Sequence, residues 1–281
     1  KFIEGPSPTV DGGTRNEAAL AFDGGREMRL LVVPPLFEEA NKLRHLLVEV
    51  LRRLDASGID SFMPDLPGCN ESRAHLAEQT LDGWRTATAE AAEHFRASAV
   101  LTVRGGALLR PTGLPGWDYA PQDGPKVLRS MVRARIISGK EAGHPERREE
   151  IEAKGRTEGI ALAGWQIGPE MFAALETPEL PPPETGVSVL DQETIGGRPL
   201  WLRAEPDFDA AQADALARDE AQPLQRRGLL EPARDARRRV DDPHPPHPQH
   251  AVEAPRPDGP PDQVLGRRQV GSFQRCEHAR L

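Results

Sequence analysis

Buried strands and amphipathic helices alternate between Met28 and Leu109, and this alternation restricts the possible folds more than any other feature of the sequence. The apolar run "MRLLVV" at 28–33 predicts a buried strand. The segment at 37–58 follows it with an apolar stripe at helical spacing. A second strand and helix and a third strand come next. We therefore predict an α/β fold, in which helices cover both faces of a mainly parallel sheet.

The third strand leads into a glycine pair in the stretch "AVLTVRGGALL" at 99–109. A buried strand followed by two glycines and small apolar residues is typical of a strand–turn–helix elbow, the turn that exposes a nucleophile in many hydrolases. The residue at the tip of this elbow is Arg104. Arginine stays protonated at physiological pH and cannot attack a carbonyl carbon.

Two interpretations of Arg104 remain open at this point. Beside the free N–H groups of Gly105 and Gly106 at a helix N-terminus, the guanidinium would suit a carboxylate, phosphate or sulfate. Alternatively, Arg104 is a structural residue held by a neighbouring acid, for which Asp65 and Glu38 are the candidates.

After Leu109 the pattern is less regular. The stretch at 110–124 is rich in Gly and Pro and predicts a loop, and helices are predicted at 125–143 and 146–154. Strand candidates are "GIALAGWQI" at 159–167, "VSVLD" at 187–191 and "RPLWLRAE" at 198–205.

The last part of the chain, 219–281, has neither strand nor helix periodicity. It contains ten prolines and is too poor in apolar residues to offset the entropy of ordering. We predict an α/β domain over 1–218, with a sheet that is incomplete at its C-terminal end. The segment 219–281 is expected to be disordered or translated out of frame.

Charge and composition exclude several classes of partner. The net charge is −8, and 1–218 alone carries −9, which disfavours nucleic acid and anionic lipid surfaces. No apolar run reaches the roughly 18 residues of a membrane span. Two cysteines give no disulfide framework, so a cytoplasmic setting is expected. We expect a small anionic or acyl ligand or a partner protein.

Neither a cofactor nor a metal is predicted. The glycine pair lacks the G-x-G-x-x-G spacing of a dinucleotide site. The stretch "HPPHPQH" at 244–250 has three histidines but no cysteine partners, and it is expected to bind a metal only adventitiously.

Several short motifs resemble those of one family. They are "EEANK" at 38–42, "DLPGCNES" at 65–72, "TLDGW" at 80–84, "VRGGALL" at 103–109 and "LAGWQIGPEMFAALE" at 162–176. In combination they resemble the bacterial exosortase A system-associated hydrolases of the α/β-hydrolase superfamily, one branch of which carries an arginine at the elbow. The resemblance implies an α/β-hydrolase-like sheet and a role in ester or amide hydrolysis linked to exopolysaccharide or protein sorting.

The sequence departs from the superfamily pattern at the site itself. Thr102 replaces the first glycine of G-x-S-x-G, Arg104 replaces the serine, and Pro34 replaces a histidine often found in the oxyanion loop. The late histidines that could complete a triad are His244, His247, His250 and His278, all within 219–281. The catalytic residues therefore stay unknown.

Weak catalytic candidates are Glu38, Cys69 and Arg104, and oxyanion or anion-binding candidates are Leu36, Arg104 and Gly105. Ser72 is expected to have a turn or capping role. Two functions remain: an ester or amide hydrolase with an atypical site, and a non-catalytic protein that binds an anionic ligand or a partner protein. A base within reach of a nucleophile would distinguish them, and the sequence contains no recognisable pair.

Overall fold

A computed structural model describes residues 1–177, 180–182 and 184–226, with side chains up to Arg218. The strands are β1 (Phe2–Pro8), β2 (Thr14–Phe22), β3 (Arg29–Val33), β4 (Asp60–Pro64), β5 (Ala99–Val103), β6 (Gly116–Tyr119), β7 (Ile160–Leu162), β8 (Trp165–Ile167) and β9 (Val187–Leu190). The α-helices are α1 (Glu38–Ala56), α2 (Leu81–His94), α3 (Gly124–Glu141), α4 (Arg148–Glu158), α5 (Pro169–Leu175), α6 (Gln192–Ile195) and α7 (Ala210–Arg226). Short 3₁₀ helices span Leu76–Glu78, Arg104–Leu109 and Leu200–Leu202.

Seven strands form one sheet in the order β1-β2-β4-β3-β5-β6-β9. The five strands from β4 to β9 run parallel, and the β1–β2 and β2–β4 pairs are antiparallel. Strands β7 and β8 form a separate hairpin. The mainly parallel sheet confirms the predicted fold class. The expectation that the sheet is incomplete at its C-terminal end stays a prediction, because residues 227–281 lie outside the described residues.

Each face of the sheet is covered by its own apolar cluster. Leu30 and Val32 of β3 pack with the buried stripe of α1 and with α7, whereas Leu31 and Val33 pack on the other side with α2, α3 and α5. This alternation along one strand places helices on both faces, as predicted. In the part of the chain that the structure describes, no helix combines the length and the apolar character that crossing a bilayer requires.

Two sequence-based predictions were wrong. The stretch at 110–124 was predicted as a loop, but it contains β6, which forms because β5 and β9 pair with it on both sides. Gly116 permits this pairing, since a Cβ there would lie 1.8 Å from the carbonyl oxygen of Val100. The stretch at 198–205 was predicted as a strand and contains a 3₁₀ helix instead. Leu200 is buried there and Leu202 is 74% exposed, which does not fit the shared face of residues two apart in a strand.

The sequence also missed the β1–β2 hairpin, and it predicted a single strand where β7 and β8 turn back at Gly164. Helix α7 continues to Arg226 and so includes the first eight residues of 219–281.

Candidate functional site

The elbow after β5 has the strand–turn–helix form that the sequence predicts. Strand β5 ends at Val103, Arg104 has a φ of 55°, and the 3₁₀ helix begins at the same residue. A positive φ is uncommon for a residue with a side chain. The following glycines fit because there is no room for a side chain: a Cβ on Gly106 would lie 2.5 Å from the carbonyl oxygen of Pro34. The tip of the elbow therefore holds an arginine in a sharply turned backbone.

The Arg104 side chain is almost fully engaged by other residues of this chain. Its Nε and Nη2 donate to the two Glu39 carboxylate oxygens at 2.9 and 3.2 Å. Nη1 donates to the Ala120 carbonyl at 2.8 Å, and Nη2 also donates to Gln122 Oε1 at 2.6 Å. The guanidinium lies 4.1 Å from the ring centre of Trp201. Four of its five N–H groups thus have acceptors, and the side chain is 12% exposed.

The acid that holds Arg104 is Glu39, so the expected partners Glu38 and Asp65 were wrong. Glu38 instead pairs with Lys42 one helical turn later, at 2.7 Å. Asp65 follows β4, and β3 separates that strand from β5, so the two strands lie about 10 Å apart. The structural interpretation of Arg104 is supported, with a different carboxylate.

The predicted oxyanion residues Leu36 and Gly105 lie in contact. A Cβ on Gly105 would be 3.1 Å from Leu36 Cγ. Together with Phe37, Gln122 and other residues they line a cavity of about 20 Å³. This volume admits about one water molecule. An acyl chain does not fit in this cavity.

Cys69 is buried in the turn after β4. Burial raises the pKa of its thiol to about 12, and the nearby Asp65 and Glu17 carboxylates act in the same direction. Among the described residues no histidine hydrogen-bonds to it. Since the thiolate is the nucleophilic form, Cys69 is inert at neutral pH.

Ser72 organises the same turn. Its hydroxyl accepts from the Gly68 amide at 2.8 Å and from the Ala74 amide at 3.2 Å, and it donates to Glu17 Oε1 at 2.8 Å. These contacts confirm the expected turn role.

A second buried ion pair, which the sequence alone did not indicate, lies behind the elbow. Asp118 on β6 pairs with Arg110, and their side chains are 8% and 2% exposed. Thr102 donates to Asp118 Oδ1 at 2.6 Å, and Arg110 Nη2 donates to the Pro182 carbonyl at 2.8 Å. The hydroxyl explains why threonine occupies the position of the first elbow glycine. The acidic residue within "GWDY" is the sequence signal for this pair, but the glycines and prolines around it favour a loop.

An open groove of about 480 Å³ runs beside the elbow at the carboxyl end of β9. It is lined by Arg104, Ala120 and Val189 and by the acidic pair Asp191 and Glu193, both of which are exposed. No group of three or more His, Cys, Asp or Glu side chains could hold a metal ion within the described ranges. The histidines at 244–250 and His278 lie outside them.

Replacing Gly106 by alanine is expected to lower the free energy of unfolding by about 1–3 kcal/mol, because the new methyl group would overlap backbone atoms. It would lie 2.5 Å from the Pro34 oxygen and 2.7 Å from the Val33 oxygen. Urea denaturation followed by circular dichroism measures the loss. The matched variant Gly83→Ala, on α2, meets only the Thr80 hydroxyl at 3.1 Å and is expected to cost little. Equal losses in the two variants would mean that the elbow is less closely packed than described.

Comparison with known proteins gives structural similarity only. No protein-family model matches the chain, and no curated protein sequence matches it. Among solved structures, the mouse alpha/beta hydrolase domain-containing protein 10 has 15% identity and a TM-score of 0.49, with 80% of this chain and 98% of that chain covered. Est1E from Butyrivibrio proteoclasticus, solved with ferulic acid, has 14% identity, a TM-score of 0.40 and coverage of 58% and 69%.

Epoxide hydrolase A from Mycobacterium thermoresistibile has 14% identity and a TM-score of 0.33, over 43% of this chain and 39% of that chain. The chain thus spans less than half of that enzyme. Similarity at this level does not indicate a shared substrate. The sheet order, the antiparallel second strand and the elbow after β5 give the chain an α/β-hydrolase-like fold.

Proposed function

We propose that this chain is a non-catalytic protein of α/β-hydrolase-like fold that acts by binding a partner protein. The observation that carries the proposal is the position of Arg104. It occupies the tip of the elbow, where acyl transfer needs a nucleophile, and it is held there by Glu39 and Gln122.

The surroundings of Arg104 support the absence of acyl transfer. A nucleophile needs an adjacent base and space for the acyl group, with donors aimed at the developing oxyanion. The cavity that Leu36 and Gly105 line beside the elbow holds about one water molecule. The thiol of Cys69 is protonated and buried, and Glu38 is paired with Lys42.

The groove beside the elbow favours a partner protein over a free anion. The charge of Arg104 is offset by Glu39, whereas Asp191 and Glu193 are exposed at the rim. An anion would meet two carboxylates there that form no ion pair with any residue the structure describes. A partner segment that is neutral or basic would complement them.

The motif resemblance supports an exosortase and exopolysaccharide system as the setting of this binding role, with the partner encoded in the same gene cluster. The gene neighbourhood tests this part of the proposal cheaply. Absence of exosortase and polysaccharide genes from it would count against the assignment.

The purified chain is expected not to hydrolyse p-nitrophenyl acetate, butyrate or octanoate above the buffer rate. Arg104→Ser is expected to be equally inactive, because a serine there would have no identified base. The release of p-nitrophenol measures both, with Arg129→Ala, an exposed arginine on α3, as the matched control. Turnover by the unmodified chain that is lost in Arg104→Ala but kept in Arg129→Ala would overturn the non-catalytic proposal.

Thermal unfolding with added phosphate, sulfate or acetate separates the two binding modes. We expect no saturable rise in the midpoint temperature with any of these anions. A saturable rise that disappears in Arg104→Ala would replace the partner protein by an anionic ligand.

A further inference from the structure

A small cavity lies between the β1–β2 hairpin, the end of β4 and helix α2, away from the elbow. Its volume is about 10 Å³, and Ser7, Glu17 and Asp65 line it together with apolar residues of α2. Ser7 pairs with Arg15 and Gly5 with Glu17 across the hairpin, so the Ser7 and Glu17 side chains share one face of the sheet. Asp65 directly follows β4 and reaches the same space.

Two polar atoms in this cavity lack a partner among the described residues, Ser7 Oγ and Asp65 Oδ2. Their residues are 3% and 7% exposed, so bulk water does not reach them. Glu17 is 6% exposed, and its Oε1 accepts from the Ser72 hydroxyl. Because an unpaired buried polar group is costly, these two atoms indicate that the cavity holds a polar partner for them.

We propose that this cavity is a binding site for one water molecule, which joins Ser7, Glu17 and Asp65. The water donates one hydrogen bond to Asp65 Oδ2 and one to the Glu17 carboxyl, and it accepts one from the Ser7 hydroxyl. Three polar partners and a volume of about one probe sphere are what a buried water requires. A divalent metal does not fit this site, because no three His, Cys, Asp or Glu side chains among the described residues are placed to hold a metal ion together.

The water donates to both carboxyl groups only when both are ionised. When one of them binds a proton, its O–H donates to the water and the water donates to the other carboxylate, so the two carboxyl groups share one proton through the water. Burial raises the pKa of both Glu17 and Asp65. Cations that oppose this are Arg15 for Glu17 and Arg44, 3.7 Å from Asp65 Oδ1, for Asp65. Glu71 adds negative charge near Asp65, and the Cys69 thiol stays neutral. The lining residues Ala87, Thr88 and Ala91 of α2 and Phe95, which follows α2, are not ionisable. His94 ends α2 beside the cavity, where a Cβ on Gly5 would lie 3.4 Å from its ring.

The water is tested by the pair Ser7→Ala and Ser61→Ala. Ser61 Oγ is also buried without a partner, but Ser61 does not line this cavity. We expect Ser7→Ala to lower the midpoint temperature of unfolding by about 2–4 °C, through the lost hydrogen bond, and Ser61→Ala to cause no loss. Equal shifts in the two variants would overturn the proposal. If Ser7→Ala does not fold, the test is a crystal structure of the unmodified chain: water density between Ser7 and Asp65 supports the site, and an empty cavity or a metal ion overturns it.

The shared proton is tested by the pH dependence of the midpoint temperature. In the unfolded chain these carboxyl groups have the ordinary pKa of about 4, and in the folded chain their pKa is higher. Between the unfolded-state pKa and the folded-state pKa, the folded chain therefore binds more protons than the unfolded chain. The stabilisation that these two carboxyl groups contribute is therefore complete below their unfolded-state pKa. It is lost as the pH rises through their folded-state pKa. In Glu17→Gln the midpoint temperature should decrease less with rising pH, and at pH 8 it should be higher than in the unmodified chain. The control Glu93→Gln, at an exposed position, should leave the pH dependence of the midpoint temperature unchanged. The same unchanged pH dependence in Glu17→Gln would overturn proton sharing.

Discussion

Replacing Asp118 by alanine is expected to lower the free energy of unfolding by about 3–5 kcal/mol, the largest effect of any variant considered for this chain. The variant would leave the Arg110 guanidinium, whose side chain is 2% exposed, without its carboxylate. Thr102 would lose the acceptor of its hydroxyl at the same time. Urea denaturation followed by circular dichroism at pH 7 measures the loss.

The pair Asp82 and Arg85 provides the matched control for this prediction. Its N–O distance of 2.7 Å is that of a good ion pair, but its side chains are 88% and 41% exposed. Asp82→Ala is therefore expected to cost less than about 1 kcal/mol. In the double variant Asp118→Leu/Arg110→Leu no buried charge is left unpaired, and part of the stability should return. Similar losses for Asp118→Ala and Asp82→Ala would mean that the Arg110–Asp118 pair is accessible to solvent.

The fold could be predicted where the signal is local. Strands β3 and β5 are short, largely apolar runs, and α1 carries its buried stripe at helical spacing, so each indicates its own structure. Strand β6 could not be found in this way, because Gly116 and the surrounding prolines are typical of a loop. It exists because two neighbouring strands offer hydrogen bonds on both sides.

The candidate site was predicted in its position but not in its partners. The strand and glycine pattern places Arg104 at the tip of the elbow, as the structure does. To predict Glu39 rather than Glu38 as the partner of Arg104, one must know how α1 is rotated about its axis relative to β5. Neighbouring helical residues point about 100° apart, and the rotation depends on packing across the sheet, which a single sequence does not contain.

Arg104 joins parts of the chain that are far apart in sequence. Glu39 begins α1, Ala120 and Gln122 follow β6, and Trp201 lies in the last 3₁₀ helix. These segments lie at the carboxyl ends of parallel strands, where α/β proteins usually bind ligands. One side chain thus holds together the loops that would otherwise border an open cleft.

Arg104→Ala is accordingly expected to lower the free energy of unfolding by about 2–4 kcal/mol. The lost ion pair with Glu39 and the lost contact with the Trp201 ring both contribute. The expected loss is smaller than for Asp118→Ala because Glu39 is 20% exposed and can be partly solvated. Urea denaturation measures it, and Arg129→Ala, an exposed arginine without a hydrogen bond among the described residues, should be nearly neutral.

A double-variant cycle decides whether Arg104 is held by Glu39 or only lies beside it. If the pair is coupled, Glu39→Ala should cost much less in the Arg104→Ala background than alone, with a coupling energy of about 1–3 kcal/mol. Glu38→Ala, which removes the Lys42 pair on the surface of α1, should give additive losses with Arg104→Ala. If the losses for Glu39→Ala and Arg104→Ala are additive as well, the Arg104 guanidinium is free to bind a carboxylate or phosphate from outside the chain. The elbow would then be an anion-binding site, because its positive charge would no longer be offset within the chain.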